Sequence, residues 1–186
     1  MNIKSCNFSS LAVSGQCCSG KSTLCKTLSK KLNWTHVDVG SEFRKIAQTK
    51  GIVIERFGSI TDELLRQVDD HIRQRIQTEV NMIWDGRLTC YLAHSNNRIF
   101  KLYCIADVDV RAERCVYRDK IPFEEAKRKI LARDKEEADV FRRLYGFSDP
   151  YNPEWVNLQL NTSSKSSKVL ANIVMKALHT SDTYAT

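Results

Sequence analysis

The sequence predicts an α/β fold built on a parallel β-sheet. Short apolar runs of the kind that form buried strands alternate along the chain with segments in which apolar residues recur at helical spacing. A glycine-rich loop joins the first strand to the first helix, which is typical of folds that bind phosphate at one end of such a sheet. Strands connected in this way pair in parallel through right-handed crossovers, and their ligands lie beyond the carboxyl ends of the strands.

The glycine-rich loop has the G-x-x-x-x-G-K-[ST] spacing of a phosphate-binding loop, with Gly15, Gly20, Lys21 and Ser22 at the fixed positions. The glycines allow backbone N–H groups to turn toward a polyphosphate. Lys21 can reach the β- and γ-phosphates, and the Ser22 hydroxyl can ligate Mg²⁺. A chance match in a Gly/Ser turn is the alternative, but a strand-like run precedes the loop and an apolar-striped helix follows it. The expected phosphate contacts are Gly15, Gln16, Cys17, Cys18, Ser19, Gly20, Lys21, Ser22 and Thr23.

Five apolar runs are predicted to be the strands. They lie at residues 8–14, 35–39, 80–84, 99–106 and 156–160. Because the carboxyl ends of parallel strands meet at one edge of a sheet, the residues that follow these runs should lie close together. Those residues include Gly15, Asp38, Asp85 and Asp107, so an acidic group is expected at the end of several strands.

Helices with one apolar face are predicted between the strands. The first covers residues 22–32, and Ser41 should cap the second, with Glu42 in its first turn. Thr61 starts a third helix, which has the clearest amphipathic pattern in the chain. Its apolar stripe comprises Leu64 or Leu65, Val68, Ile72, Ile76 and Val80.

The chain changes character after Asp109. A short helix is predicted over residues 110–117, and residues 118–153 are dense in charge until turn residues break the pattern. We interpret 118–153 as a mobile flap, with Pro122 at the first position of a helix. A C-terminal helix containing Val169 follows the last strand, and residues 180–186 are expected to fray.

Composition limits the class of protein. A chain of 186 residues can bury one core, and 42% hydrophobic with 27% charged residues is ordinary for a soluble globule. No apolar run is long enough to cross a bilayer and no signal peptide is recognisable, so we expect a cytoplasmic protein without a membrane partner. The seven cysteines show no paired metal-ligand spacing and are interpreted as reduced thiols. The net charge of +7 comes from bases interleaved with acids, which favours a phosphorylated small molecule over nucleic acid, and we expect a monomer.

Several segments together resemble the cytidylate kinase family of small P-loop nucleoside monophosphate kinases, above all its compact archaeal-type members. The segments, in order, are GQCCSGKST, HVDVGSEFRK, IWDGRL, ERCVYRDKIPFEEAKRKILARDKEEADVFRRLYG and NTSSKS. The resemblance implies a three-layer fold with a five-stranded parallel sheet in a single kinase domain. In that domain a core would comprise about 1–40, 80–117 and 154–186, an acceptor-binding segment about 41–79 and a mobile lid about 118–153.

The resemblance also implies a reaction, in which ATP with Mg²⁺ phosphorylates CMP or dCMP to the diphosphate. Arg44 matches the arginine of the family's short F/Y-R motif and Arg87 that of its G-R motif, so both would hold the acceptor phosphate. Arg133, Arg142 and Arg143 fall among the lid arginines. The residues expected to act in catalysis are Lys21, Arg87, Arg133 and Arg142.

Physical chemistry gives the same roles to arginine. A nucleoside monophosphate has a second phosphate pKa of about 6, so it is largely a dianion at neutral pH and needs no strong general base. The difficulty is repulsion between two polyanions, which planar, permanently charged guanidinium groups relieve. Each arginine also has a plainer reading: Arg44 and Arg87 as solvated surface residues, and the lid arginines as partners in helix-surface ion pairs.

The roles of two aspartates and the recognition of the acceptor base each allow more than one interpretation. Asp85 is expected either to hold a Mg²⁺-bound water or to begin an Asp-Gly turn, and Asp38 either to cap a helix or to contact the substrate. Cytosine recognition requires an acceptor for its exocyclic amine, and the sequence assigns none. Val39 stands where bacterial members of the family have a polar residue, which weakens inference about the base.

Two other functions fit the same loop. The acceptor could be AMP, UMP or a small alcohol, although an alcohol needs a general base, for which only Asp38 or Asp85 is evident. The chain could instead be an idle nucleotide-binding regulator, which would not require Arg44 and Arg87. Cys17 and Cys18 lie beside Lys21 and a helix N-terminus, where thiol pKa values fall, so a thiol reagent is expected to inactivate the protein and ATP to protect it. Packing of two small residues in the loop is the other interpretation of the pair.

Overall fold

The structure, a computed structural model, describes residues 8–51 and 60–180. The five predicted strands form one sheet in which every pairing is parallel, in the order β2-β3-β1-β4-β5. The strands are Ser10–Gly15 (β1), Thr35–Asp38 (β2), Met82–Asp85 (β3), Ile99–Ile105 (β4) and Leu158–Asn161 (β5). The predicted fold class is therefore confirmed, and β1, which leads into the phosphate loop, lies at the centre of the sheet.

Helices cover both faces of this sheet. They are Lys21–Leu32 (α1), Val39–Thr49 (α2), Asp62–Thr78 (α3), Thr89–Leu92 (α4), Val108–Asp119 (α5), Phe123–Tyr145 (α6) and Ser167–Thr180 (α7), with a 3₁₀ turn at Pro153–Trp155. Successive side chains of β1 point to opposite faces, so Leu11 and Val13 pack with α1 and α7, whereas Ala12 packs with α2, α3 and α4. The central strand is thus buried on both sides.

Several helix boundaries differ from the predicted ones. α2 begins at Val39, three residues before the start that a Ser41 cap implies, and its cap is Asp38, whose Oδ1 accepts from the Ser41 N–H at 3.0 Å. An aspartate satisfies the same orphan N–H groups as a serine, so either residue could have been the cap. Pro122 is the cap of α6 and not its first residue. Val80, which the periodicity placed in α3, lies beyond the helix end at Thr78 and is 54% exposed.

The charge-dense segment is built around α6, which is 23 residues long. Its first half packs on α5 through a small cluster that includes Ala126 and Ile130. Its second half places Val140, Phe141 and Leu144 in the core formed by α2, α3 and α4. α6 therefore contacts both sides of the cleft described below. The division into core, acceptor segment and lid remains a prediction.

Two further expectations concern the chain as a whole. No helix within residues 8–51 and 60–180 is long and apolar enough to cross a membrane. The six cysteines in the same ranges carry free thiols: Cys17, Cys18, Cys25, Cys90, Cys104 and Cys115. Of residues 180–186, which were expected to fray, Thr180 is the last residue of α7 and 181–186 lie outside the described residues. Val169 lies in the C-terminal helix α7, as expected, and is 47% exposed.

Candidate active site

The phosphate loop leaves β1 at Gly15 and enters α1 at Gly20. Gly15 has a φ of +148°, and a Cβ there would lie 2.3 Å from the Cys104 carbonyl oxygen, so no other residue fits without a backbone shift. Gly20 caps α1 in the left-handed conformation at φ 82°. The loop is consequently pressed against β4, and its donors lie at the positive end of α1.

Two arginines of α5 donate hydrogen bonds to carbonyl groups of the loop. Arg111 is buried, and its Nη1 donates to the Cys17 carbonyl at 3.4 Å. Arg114 Nη1 donates to the Cys18 carbonyl at 3.3 Å and to Thr162 Oγ1 at 3.1 Å. The Cys17 and Cys18 carbonyls of the loop are thus bonded to α5. The sequence reasoning did not identify these arginines, although their spacing of three residues on a helix after β4 places both on one face.

Lys21 faces a buried carboxylate at the end of β3. Its Nζ lies 3.9 Å from Asp85 Oδ1, and Asp85 is 2% exposed. The other carboxylate oxygen lies 3.1 Å from His36 Nε2. Burial by itself would raise the pKa of Asp85, but hydrogen bonds from His36 and Ser22 and the charge of Lys21 hold that pKa below its ordinary value. Asp85 is thus an anion sheltered directly beneath the loop.

The oxygen ligands available here fit Mg²⁺. The Ser22 hydroxyl and the Asp85 carboxylate both line the cleft, and a hydroxyl with a carboxylate is a donor set that Mg²⁺ shares with waters and phosphate oxygens. Cys25, His36 and Asp85 also offer ligand atoms that all lie within 4.8 Å of one another. Lys21 Nζ lies 3.9 Å from the same Asp85, and its positive charge disfavours a metal ion held by this group of three side chains.

Arg44 is oriented by the cap of α2. Its Nη2 donates to Ser41 Oγ at 2.8 Å, and Ser41 Oγ donates to Asp38 Oδ2 at 2.8 Å. Asp38 therefore does two things: it caps the helix and it fixes the serine that holds the guanidinium. Both Asp38 and Arg44 line the cleft, on the side opposite α5.

Arg87 and Arg133 share one buried carboxylate. Glu137 of α6 is 4% exposed, forms an ion pair with Arg87, and accepts from Arg133 Nε at 3.0 Å. Burial lowers the pKa of Arg87 to about 10, which still leaves it charged at neutral pH. One acidic side chain thus holds two of the predicted catalytic cations at the wall of the cleft.

The remaining lid arginines lie elsewhere. Arg142 is not among the residues that line the cleft; its side chain is 62% exposed and its Nη1 donates to Asp139 at 3.0 Å on the same helix. Arg143 makes a two-pronged contact with Asp62, with Nε and Nη2 2.9 Å and 2.7 Å from Oδ1, and so joins the end of α6 to the start of α3. The structure does not bring Arg142 into the site.

A cleft of about 1390 Å³ unites these groups. Of the predicted site residues, it is lined by Cys17, Cys18, Ser19, Gly20, Lys21, Ser22, Thr23, Asp38, Arg44, Asp85, Arg87 and Arg133. Gly15 and Gln16, at the start of the loop, do not line the cleft. The α5 side of the cleft carries Arg114, Arg118 and Tyr117, and Tyr117 is 90% exposed.

The other end of the cleft is an apolar chamber between α3 and α6. Its walls include Phe43, Val68 and Leu144, and it contains the carboxylate of Asp69, to which the Tyr145 hydroxyl donates a hydrogen bond. Burial raises the pKa of Asp69 to about 6, although the Tyr145 hydrogen bond opposes the rise. No sequence pattern indicated this pair, because the two residues are 76 positions apart.

A phosphate loop at the end of an all-parallel sheet, with an arginine-lined cleft above it, defines a P-loop kinase fold. Solved structures agree. A shikimate kinase from Acinetobacter baumannii has a TM-score of 0.63 at 16% identity, covering 94% of both chains. A gluconokinase from Sinorhizobium meliloti 1021 has a TM-score of 0.61 at 14% identity, covering 92% of both chains. At these identities the similarity is one of fold alone.

Sequence relatives define the family. The model of the cytidylate kinase-like family matches residues 10–164. A cytidylate kinase from Pyrococcus abyssi is 32% identical over 173 residues, which cover 90% of this chain and 92% of that protein. One from Pyrococcus horikoshii is 33% identical over 173 residues, covering 90% and 87%. The chain belongs to the cytidylate kinase-like family, and it is an enzyme of the nucleoside monophosphate kinase class.

Proposed function

We propose that the protein transfers the γ-phosphoryl group of ATP to CMP, to dCMP or to both. One observation carries the proposal: a single cleft has a phosphate loop at one end, an apolar chamber with one sheltered carboxylate at the other, and arginines between them. Such a cleft suits two nucleotides whose phosphates meet in the middle. The relatives named above are cytidylate kinases.

The donor nucleotide would lie on the α1 and α5 side. The loop N–H groups and Lys21 would bind the β- and γ-phosphates, and Tyr117, Arg114 and Arg118 offer a surface for the base. Bound Mg²⁺ would neutralise charge on the donor phosphates, held by Ser22 and, through a water, by Asp85. Asp85 would also orient the Lys21 ammonium group.

The acceptor phosphate would lie between Arg44 and Arg87. Since the phosphate dianion is itself the nucleophile, the side chains need only align it with the γ-phosphate and offset the charge of the two. Arg44 is already oriented by Ser41, and Arg87 would exchange part of its contact with Glu137 for phosphate. Arg133, bound to the same Glu137, would then reach the transferring group as α6 closes over the cleft.

The acceptor base would occupy the apolar chamber. Cytosine presents an exocyclic amine, which donates hydrogen bonds, where uracil presents a carbonyl oxygen. The Asp69 carboxylate would accept from that amine and would repel the uracil oxygen, and the Tyr145 hydroxyl would hold the carboxylate in place. A buried acceptor left without a donor costs about 1–3 kcal/mol, so this contact alone would favour CMP over UMP by roughly 10- to 100-fold.

A coupled assay of ADP release over a panel of CMP, dCMP, UMP, AMP and small alcohols tests the proposal. The expected result is fastest turnover with CMP or dCMP. Asp69→Asn should lower the ratio of turnover with CMP to turnover with UMP. Asp70→Asn, at the exposed next position, is its control and should keep the wild-type ratio. Preferred turnover of UMP, AMP or an alcohol would contradict the proposal, and ATP binding without any turnover would favour an idle regulator.

A further inference from the structure

The phosphate loop contains two adjacent thiols whose sulfur atoms nearly touch. Cys17 Sγ and Cys18 Sγ are 3.7 Å apart. Both residues line the cleft, Cys17 almost fully buried and Cys18 half-buried. Cys18 has a φ of 58°, which is uncommon for a residue other than glycine, and this left-handed conformation turns both side chains to the same side. None of the phosphate chemistry proposed above uses either thiol.

The two thiols share a hydrogen bond, and arginine side chains lie around them. The hydrogen bond with Cys18 lowers the pKa of Cys17, burial opposes the shift, and Arg87, Arg133 and Arg118 add to it. The pKa of Cys18 is raised, first by its hydrogen bond to Cys17. The Cys17 thiol therefore loses its proton more readily than the Cys18 thiol, and the thiolate is the form that attacks or ligates a thiophilic centre.

The distance between the two sulfurs is close to the distance at which both can bond to the same atom. Two sulfurs bonded to one atom at about 2.3 Å, with a bond angle of roughly 95–110°, lie about 3.4–3.8 Å apart. The loop backbone is also fixed on both residues, because Arg111 and Arg114 bond the Cys17 and Cys18 carbonyls. A preorganised pair loses little conformational entropy when a bridging atom binds.

We propose that Cys17 and Cys18 form a dithiol site for a soft, thiophilic metal or metalloid centre, such as trivalent arsenic, and that its occupant excludes the donor phosphates. With an organoarsenic oxide, the two S–H bonds break and two As–S bonds form. The two protons leave with the arsenic-bound oxygen as water, so no oxidant or reductant is required. Because the site lies in the loop whose N–H groups would cradle phosphate, the occupant and ATP compete for the same space.

Phenylarsine oxide tests the site, with intact-protein mass spectrometry as the readout and no nucleotide present. The expected result is one adduct that survives excess monothiol and is removed by a dithiol. Cys17→Ser and Cys18→Ser should each lose this adduct, since one sulfur cannot form the ring. Cys90→Ala, in the core between β1 and β4 and outside the cleft, is the matched control and should retain it.

The result that overturns the dithiol site is an adduct of unchanged stability in both Cys17→Ser and Cys18→Ser. Circular dichroism of the two variants establishes that each is folded before its result is interpreted. ATP should slow formation of the wild-type adduct, and an equal rate with and without ATP would overturn the competition. Because no step measures turnover, these outcomes are independent of the proposed kinase reaction.

Discussion

Lys21 is the residue whose role follows most directly from its surroundings. It is the first residue of α1, 15% of its side chain is exposed, and it faces Asp85 across 3.9 Å. That carboxylate orients the ammonium group, and a polyphosphate bound in the loop would replace part of the contact. Its loss therefore removes a positioned cation and leaves Asp85 with His36 and Ser22.

Lys21→Ala is expected to lose turnover by a factor on the order of 10²–10³, as does removal of one preorganised charge donor elsewhere. The circular dichroism spectrum should not change, because Asp85 keeps two partners. Lys26→Ala, on the exposed face of the same helix, is the control and should keep full activity. Full activity of Lys21→Ala would contradict the donor-site assignment.

Asp69 makes stability depend on pH in a direction opposite to that of a paired surface carboxylate. Its folded pKa of about 6 lies above the unfolded value of about 3.9, so between these pH values the folded state binds more protons. Stability contributed by protonated Asp69 is thus lost as pH rises from about 4 to about 6 and stays lost above. Asp69→Asn has no such titration and can still accept from Tyr145.

The free energy of unfolding of Asp69→Asn, relative to wild type, should rise by about 2 kcal/mol between pH 4 and pH 7, since each unit of pKa shift is worth about 1.4 kcal/mol. Urea denaturation at a series of pH values measures it. A difference that does not change with pH would mean that Asp69 is not desolvated in the chamber.

Sequence patterns identified the site residues that lie on one short stretch, such as Lys21, or at the end of a strand, such as Asp85. Lys21 and Ser22 were found because the phosphate loop has a fixed length. Asp69 and Tyr145 were not, because α3 and α6 bring them together and neither helix carries a local signal. Likewise, Arg87 and Glu137 are 50 positions apart, and only the docking of α6 against the end of β3 makes them partners.

At the scale of one element, α6 shows how a helix divides its arginines between two environments. Arg133 lines the cleft through Glu137, whereas Arg142 projects outward to Asp139. The sequence placed both among the catalytic candidates, since charge density alone does not say which face of a helix is turned inward. Exposed pairs three residues apart contribute about 0–1 kcal/mol, so little should depend on Arg142.

Arg133→Ala is expected to reduce kcat at least 10-fold, while Arg142→Ala should leave kcat and the unfolding midpoint nearly unchanged. The comparison is matched, because both substitutions remove one guanidinium from the same helix. A loss of kcat in Arg142→Ala equal to that in Arg133→Ala would show that the outward face of α6 turns into the cleft during the reaction.

At the scale of the whole molecule, the cleft is continuous from the phosphate loop to the chamber at Asp69. A compound in which adenosine and cytidine are joined through a polyphosphate should therefore occupy both ends at once. Linking two ligands makes the second binding event intramolecular, which raises affinity by about 10²–10⁴-fold when the linker spans the sites. The midpoint of thermal unfolding with the linked compound should be higher than the midpoint with ATP or with CMP alone. An equal midpoint would mean that the two ends do not belong to one site.

α6 packs at both of its ends, on α5 beside the loop and on α3 beside the chamber. A rigid rod of 23 residues cannot tilt toward one nucleotide without changing its distance from the other. The two ligands should then be cooperative, and linkage requires the effect to be reciprocal. Calorimetric titration should give a lower Kd for CMP in the presence of a non-hydrolysable ATP analogue, and the same factor for the analogue in the presence of CMP.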